Sequence, residues 1–585
     1  MVMTWTIAAR SWWRWRGVAA GHGTVWRGMA SATKELKLCV VGSGPAGVYC
    51  AQQVEKKVEK ATAGAGDPNK VVVKTDVIDR RPAPGGLARY GVAPDHAPSV
   101  SAVLDTVDAF LHRRQTTRFF GNVQVQLPTI PSPPLTSPSI DRDRNDHNDR
   151  SIADLFFLFS SPRRQVKTKD VGDVSLDDLR RRYDAVVLAN GADRPNELGI
   201  QNERELTGRG VFSARQVVAA YCGDPMERLD YSSRVGAFPG PAAEGARDVV
   251  VVGAGNVALD VARMLLTPPD ALERDTEASR SFLDLVQSPN GPLSKVERVH
   301  LVARRGPRSA AFAPRELREI LQKRSDQIEA VVTAPERPTS GEGGARFADP
   351  FADVPGFKPA SRAQKRVFKL LRDHHGGGSE VAKGGRRQLI FHFLHRPVGF
   401  EVGEGGELLG LRAAPMAERD DGNGGVVPVP LPGGPGEILV PCQIAIVAAS
   451  QATIALDGLP SGSESLEGRG GSAVALEREP GKAPVYMCGW ANRGARGIIG
   501  ASMVDADEVS GALVAEYLGG GCERRPSSGE DLAEALRERG VDYVDADGWR
   551  RIRAEEERRG RSAGRGGAEK IASAEEMVAI ARASP

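Results

Sequence analysis

Two strand–glycine turn–helix–strand units, one opening at Gly42 and the other at Gly253, predict an α/β chain built on two Rossmann-like parallel sheets. A third apolar run, Ala185 to Ala189, reads as a buried parallel strand that ends at a glycine. The 585 residues leave room for two sizeable cores and additions to them.

The first thirty-odd residues differ from the rest. Arginines stand at 10, 14, 16 and 27, tryptophans at 5, 12, 13, 15 and 26, and Glu35 is the first carboxylate. An arginine-bearing, acid-free start predicts a mitochondrial targeting peptide over residues 1–34. Leu38 to Val41 then forms a short strand, followed by Gly42-Ser-Gly-Pro-Ala-Gly47, a helix over Val48 to Lys60, and a second strand from Val71 to Ile78 that ends at Asp79. Glycines 64 and 66 with Pro68 lengthen the connection between helix and strand. Residues 127–170 carry prolines, serines and the run Asp-Arg-Asp-Arg-Asn-Asp-His-Asn-Asp-Arg, which predicts a solvated insertion, although Leu155 to Phe159 is apolar. The second unit has a strand at Val249 to Val252, the turn at Gly253, an amphipathic helix through Leu266 and a strand at Val299 to Ala303. Residues 330–390 are glycine-rich and basic, with candidate loops around Pro338-Thr-Ser-Gly-Glu-Gly-Gly344 and His374-His-Gly-Gly-Gly378, after which strands resume at Leu389 to Leu394, Ile444 to Val447 and Val485 onward. Beyond Cys522 the chain is charged and helical in parts, with Trp549 as a candidate anchor.

Composition narrows the function. Apolar residues make up 41% and charged residues 26%, as in soluble globular proteins, and a formal net charge of +3 offers no general field for nucleic acid. The six cysteines, at 39, 50, 222, 442, 488 and 522, form no C-x-x-C pair and no metal or cluster spacing. Cys39, Cys50 and Cys442 fit as small core side chains. No apolar run reaches the 18 residues of a spanning helix. No Ser–His–Asp or Cys–His arrangement stands out, and His96, His392 and His395 read as structural or surface groups. Neither a catalytic side chain nor a metal ligand is assigned.

The glycine turns carry the chemistry. In Gly42-x-Gly44-x-x-Gly47 the first glycine permits the tight turn and the second lets a diphosphate reach the backbone. The third lets helix and strand close together, and the helix N-terminus meets the phosphates. Asp79 is placed to accept from the adenosine ribose hydroxyls. Gly253-x-Gly255-x-x-Ala258 repeats the pattern, with alanine sufficient for the third role. After its later strand stand Arg304 and Arg305, where an NAD site would offer an acid. Two guanidinium forks suit a 2′-phosphate and so predict NADPH over NADH. Gly85 to Asp95 reads as a shaped loop over a cofactor's ring end. Gly489-Trp490, followed by Gly494 and Gly497, reads as a turn feeding a helix whose N–H groups point at an electron-rich carbonyl.

Together the blocks LCVVGSGPAGVYCAQQV, PGGLARYGVAPDH, FFGNVQV, YDAVVLANGA, GNVALDVARMLLTPP, LVARRGP with AFAPRELRE, and GW…RG…GII resemble the mitochondrial adrenodoxin reductase family, NADPH-dependent ferredoxin reductases. The tail GVDYVDADGWRRIRAEEERRG looks like that family's terminal segment, so the resemblance spans most of residues 36–580. It implies two Rossmann-like domains of glutathione-reductase type, the NADP domain inserted into the FAD domain. The expected divisions are 35–243 and 443–585 for FAD, the latter with a C-terminal extension, and 244–442 for NADP.

The resemblance implies that Ala46, Asp79, Leu87 and Val125 line the FAD site, with Trp490 and the Gly497-Ile498-Ile499 turn at its flavin end. It implies that Ala254, Gly255, Asn256 and Val257 bind the NADPH diphosphate, that Arg304 and Arg305 hold the 2′-phosphate, and that Glu316 lies near the nicotinamide. The implied reaction is hydride transfer from NADPH to FAD, then single-electron delivery to a mitochondrial [2Fe–2S], adrenodoxin-like ferredoxin. Such ferredoxins are acidic, and Arg308, Arg315 and Arg318 are candidates for a basic docking face. The implied location is the mitochondrial matrix or the matrix side of the inner membrane, with peripheral membrane contact left open. Two readings stay open beside this one: a related NADPH-dependent flavin oxidoreductase with another acceptor, and a non-catalytic dinucleotide-binding redox sensor. The family's usual Gly-Trp-x-Lys-Arg-Gly-Pro-x-Gly is here Gly489-Trp-Ala-Asn-Arg-Gly-Ala-Arg-Gly497, which removes a proline and a lysine beside the flavin.

Overall fold

The computed structural model describes residues 34–583 apart from 63–69, 114, 128–172, 193, 228–244, 334–350, 352–360, 375–385, 421–425, 432–435, 454–478, 480, 496, 498 and 520–530. Residues 1–33 of the expected targeting peptide, most of both inserts, Ile498 and Cys522 lie outside the described residues, whereas Lys34, the last residue of that expected peptide, already belongs to the first strand.

The first parallel sheet has the strand order Val485–Met487, Ala185–Leu188, Lys34–Val41, Val71–Asp79, Thr117–Gly121. Its apolar strands need cover on both faces. Helix Pro45–Thr62 lies on one face, and helix Ile499–Leu518 packs on that helix, so Val54 and Val58 share a core with Val509 and Leu513. On the other face Cys39, Val41, Ile78 and Leu188 pack with Leu176, Leu179, Leu532 and Leu536. Val41 pairs with Ile78 and with Leu188. Gly42, Asp79 and Ala189 therefore arrive together at the carboxyl edge, where such sheets bind ligands.

The second parallel sheet has the order Ile328–Thr333, Arg387–Phe393, Arg298–Ala303, Asp248–Val252, Ile444–Val447, Val211–Ser213. All six strands fall in sequence between Leu188 and Val485 of the first sheet, so the second unit interrupts the first. Val252 pairs with Val302 and Val447, which puts Gly253 and Ala448 side by side at its carboxyl edge. This sheet reaches past the expected segment 244–442. Val211–Ser213 pairs with Ile444–Val447, and both strands lie outside those bounds. A three-residue strand shows no periodicity of its own; its distant partner makes it one.

Between the two candidate loops of residues 330–390, which lie almost wholly outside the described residues, the sequence predicts no element. Residues Arg362–Arg372 form a helix capped by Ser361, whose hydroxyl accepts from the Gln364 N–H at 3.1 Å. Val367 and Leu371 are its buried residues, too few to offset the polar, glycine-rich text around it. Four further strands form a small antiparallel sheet. In it Leu408–Asp420 pairs with His395–Val402, Val426–Pro430 and Ile438–Pro441.

The C-terminal helices Ala546–Ser562 and Ala574–Arg582 are built into the molecule. Trp549, Ile552 and Met577 join the core of the second unit, and the Trp549 indole donates to Asp108 Oδ1 at 2.8 Å. Glu556, 1% exposed, accepts from Arg89 Nη2 at 2.7 Å and from the Ile571 N–H at 3.0 Å. The Arg89 guanidinium also lies 4.9 Å from the Trp549 ring centroid. Glu556→Ala leaves that guanidinium buried without its carboxylate, at an expected cost of about 3–5 kcal/mol. Thermal unfolding should show a large drop in Tm for Glu556→Ala and a much smaller one for Arg89→Leu/Glu556→Leu; equal drops would show that the buried charge is not the cause.

Candidate active site

At the first turn Gly42 has φ 111°, and a Cβ there would run into the Ala189 carbonyl oxygen. A Cβ on Gly47 would meet the Gly42 carbonyl oxygen and the Val40 side chain, which explains the close approach of helix and strand. Asp79 braces the turn. Its Oδ2 accepts from Ser43 N at 2.8 Å and Ser43 Oγ at 2.6 Å, and its Oδ1 accepts from the Arg81 N–H at 2.9 Å. With a single donor on it, Oδ1 keeps a second lone pair for a ribose hydroxyl. The shaped loop folds back onto the same turn: the Gly85 N–H donates to Ser43 O at 3.2 Å, and a Cβ on Gly86 would stand 3.0 Å from Gly44 Cα. This brings Leu87, at the start of helix Leu87–Tyr90, beside the turn. Helix Pro45–Thr62 starts at this turn, so its first-turn N–H groups are the donors the turn offers to an anion. Val125 is buried, packed with Cys39, Val41 and Ile78 on the far face of the first sheet.

The Gly489-Trp490 turn meets Ala46 directly. Gly489 has φ 71°, and its missing Cβ would collide with the Ala46 Cβ. Trp490, half-buried, opens the short helix Trp490–Arg493. Asp505, unremarked in the sequence, holds this turn: it accepts from the Gly489 N–H and, through Oδ1, from Asn492 Nδ2 at 3.0 Å. The asparagine that replaces the family's lysine thus has a structural partner. Gly497 is exposed with φ 84°, and Ile499 begins the twenty-residue helix, two residues after the expected start.

At the second turn a Cβ on Gly253 would lie 2.7 Å from the Ala448 carbonyl oxygen, whereas a Cβ on Gly255 would meet nothing within 4 Å. Gly255 caps helix Asn256–Leu266, so the helix N-terminus opens onto free space of the kind a diphosphate needs. The segment after Arg308 lies across this turn. The Ala311 N–H donates to Ala254 O at 2.9 Å and the Ala313 N–H to Asn256 Oδ1 at 2.7 Å. Val257 is 47% exposed beside it. Arg304 and Arg305, just past the strand, are exposed, and among the described residues neither enters an ion pair. Their guanidinium groups are available to an anion.

The two units meet in a charged cluster. Asp95 and His96 come from the loop of the first unit; Asp260, Arg263, Glu316, Glu319 and Arg324 come from the second. His96 Nδ1 lies 3.3 Å from Glu316 Oε2, and Nε2 lies 2.9 Å from Glu319 Oε2. Arg263, 1% exposed, donates to Asp95 Oδ2 at 2.8 Å and to Asp260 Oδ1 at 2.6 Å. Burial pushes the Asp260 carboxyl up to about 6, against the pull of Arg263 and with the repulsion of Glu316. His96 is thus no isolated surface histidine: it pairs with Glu316, the residue assigned above to the nicotinamide half. Its two carboxylate partners lie more than 200 positions away in sequence, which no local pattern signals.

The basic face differs from the one expected. Arg308 is removed from it, being 4% exposed and paired with Glu418 at 2.9 Å. Arg315 and Arg318 are exposed. Helix Arg362–Arg372, packed against their helix, adds exposed Arg362, Lys365, Arg366, Lys369 and Arg372 with no acid in its span. Gly489→Ala is expected to push Ala46 away from the first turn and to yield protein with a far lower flavin-to-protein absorbance ratio. Gly500→Ala, with nothing within 4 Å of the added carbon, should keep the wild-type ratio. Full flavin in both would separate this contact from cofactor binding.

Comparison with known proteins agrees with this geometry. The model of the pyridine nucleotide-disulphide oxidoreductase family matches residues 36–329. The mitochondrial NADPH:adrenodoxin oxidoreductase of Arabidopsis thaliana is 30% identical over 548 residues, 91% of this chain and 92% of that protein. The Homo sapiens protein of the same name is 29% identical, covering 97% and 98%. Among solved structures, Mycobacterium tuberculosis FprA in complex with NADPH has a TM-score of 0.68 at 25% identity, covering 94% of this chain and all of that one. This chain belongs to the NADPH:adrenodoxin oxidoreductase family of pyridine nucleotide-disulphide oxidoreductases.

Proposed function

We infer that this chain is an NADPH-dependent ferredoxin reductase, in which bound FAD takes the hydride of NADPH and releases its electrons singly to an adrenodoxin-type [2Fe–2S] ferredoxin. The observation that carries the reading is joint: relatives named NADPH:adrenodoxin oxidoreductase match over nine-tenths of the chain, and both phosphate turns are built at the carboxyl edges of their sheets.

In this reading the protein's work is placement. Gly42, Gly44, Ala46 and Gly47 present backbone N–H groups to the FAD diphosphate, and Asp79 accepts from the ribose. Leu87 and Trp490 flank the cofactor, and Gly497 leads towards helix Ile499–Leu518, whose N-terminus aims at the flavin carbonyls. Val125 supports the sheet beneath. Gly253, Ala254, Gly255, Asn256 and Val257 receive the NADPH diphosphate, and Arg304 and Arg305 clamp the 2′-phosphate. Glu316, held by His96, orients the carboxamide half. The cluster around Arg263 fixes the approach of the two units, so that the reacting rings meet without a search.

Helix Arg362–Arg372 with Arg315 and Arg318 forms the surface for an acidic ferredoxin, its attraction falling as salt rises. The mitochondrial location of the named relatives and the arginine-bearing, acid-free start support mitochondrial import through residues 1–34, with function in the matrix or on the matrix side of the inner membrane. No helix among the described residues is long and apolar enough to cross a membrane.

Purified enzyme should reduce a [2Fe–2S] ferredoxin with NADPH far faster than with NADH, and equal rates would remove the role of Arg304 and Arg305. Reversing charge at Arg362, Lys365 and Arg366 to Glu should cut kcat/KM for the ferredoxin by about tenfold or more and flatten its salt dependence. NADPH–ferricyanide activity should stay at the wild-type level in that variant. Ferredoxin kinetics unchanged by the reversal would place docking elsewhere.

A further inference from the structure

The loop that carries Arg304 and Arg305 is held on two sides, one of them from another sheet. On one side the Leu394 N–H donates to the Arg305 carbonyl at 3.4 Å. On the other, Glu418 reaches in from strand Leu408–Asp420 of the small antiparallel sheet. Its Oε1 accepts from the Gly306 N–H at 3.0 Å, and its Oε2 accepts from Arg308 Nη1 at 2.9 Å. Both side chains are almost wholly buried, at 4% and 3% exposure. The fit is tight: a Cβ on Gly306 would stand 2.5 Å from Glu418 Oε1. Arg308 is pinned further, since its guanidinium lies 5.2 Å from the Phe368 ring centroid and its carbonyl accepts from Gln364 Nε2 at 2.5 Å.

We propose that Glu418, acting through the Gly306 N–H and the Arg308 guanidinium, is a positioning residue that sets selectivity for a 2′-phosphorylated nucleotide. The proposal rests on the assignment of Arg304 and Arg305 to that phosphate. Two adjacent exposed arginines repel each other and carry much rotamer freedom, so bringing both onto one phosphate is costly. A fixed backbone directly after them lowers that cost. Glu418 supplies it by accepting from the first N–H past the pair, and the Arg308 guanidinium works against the burial that pushes the carboxyl's pKa up. Unmodified adenosine nucleotides do not use the clamp, so the strut leaves their binding alone.

The test titrates full-length, flavin-loaded enzyme with 2′,5′-ADP and with 5′-ADP by calorimetry. The variants are Glu418→Gln, Arg308→Leu/Glu418→Leu and Arg304→Ala/Arg305→Ala. The Leu/Leu variant removes both charges together and so keeps the fold where a single buried charge threatens it. The expected result is a Kd for 2′,5′-ADP raised roughly tenfold in both strut variants, with that for 5′-ADP unmoved. The KM for NADPH should rise with kcat retained. If the arginine variant weakens 2′,5′-ADP and the strut variants do not, the proposal falls while the clamp stands. If the arginine variant itself binds normally, clamp and proposal fall together. Equal weakening of both ligands would show a merely structural role and also overturn it.

Discussion

Arg263 sits where the two units touch, nearly sealed from water, with Asp95 of one unit and Asp260 of the other on its guanidinium. Apolar packing is non-directional and tolerates sliding, whereas a guanidinium bound to two carboxylates fixes both distance and angle. A hydride passes only between rings close to van der Waals contact, so two sheets that could each fold separately must be held at one orientation. The apolar surround belongs to the same joint: Tyr90 and Ala93 of the first unit lie in one core with Val217, Leu259 and Phe282 of the second. Every role assigned to the two phosphate turns presupposes this arrangement.

One device recurs around the candidate site. Asp79 accepts from the Ser43 N–H, Asp505 from the Gly489 N–H, and Glu418 from the Gly306 N–H. In each case a buried carboxylate from a neighbouring element satisfies a backbone donor in a glycine turn. Glycine offers the turn its freedom, and the carboxylate takes that freedom away again, leaving a stiff cradle with a bare surface. The N–H groups left for an anion are those of the helix N-termini.

Buried arginines do comparable work at longer range. Arg81 binds Asp224, Arg89 binds Glu556 and Arg308 binds Glu418, each pair joining segments far apart in sequence. Such pairs add little net stability over well-packed apolar residues, but breaking one leaves a charge in the interior, so they enforce which segments meet. In this way the C-terminal helices become part of the wall behind the loop at Leu87 to Tyr90.

The nesting of one unit in the other was implied only by the family resemblance; the sequence by itself determined the two Rossmann-like sheets and the two phosphate turns. These depend on local signals: short apolar strands, glycines at fixed spacing and a helix of matching period. The strands at Lys34–Val41 and Asp248–Val252 and the helix Asn256–Leu266 stand close to where those signals put them. The tertiary structure decided what charge alone leaves ambiguous. An arginine reads the same in sequence whether it faces water, as Arg318 does, or a buried carboxylate from another sheet, as Arg308 does. His96, Asp505 and Glu418 were illegible for the same reason, because their partners are set by packing between elements remote along the chain. Helix Arg362–Arg372 escaped notice because only two of its residues are buried, and it holds its place by tertiary contact rather than by pattern.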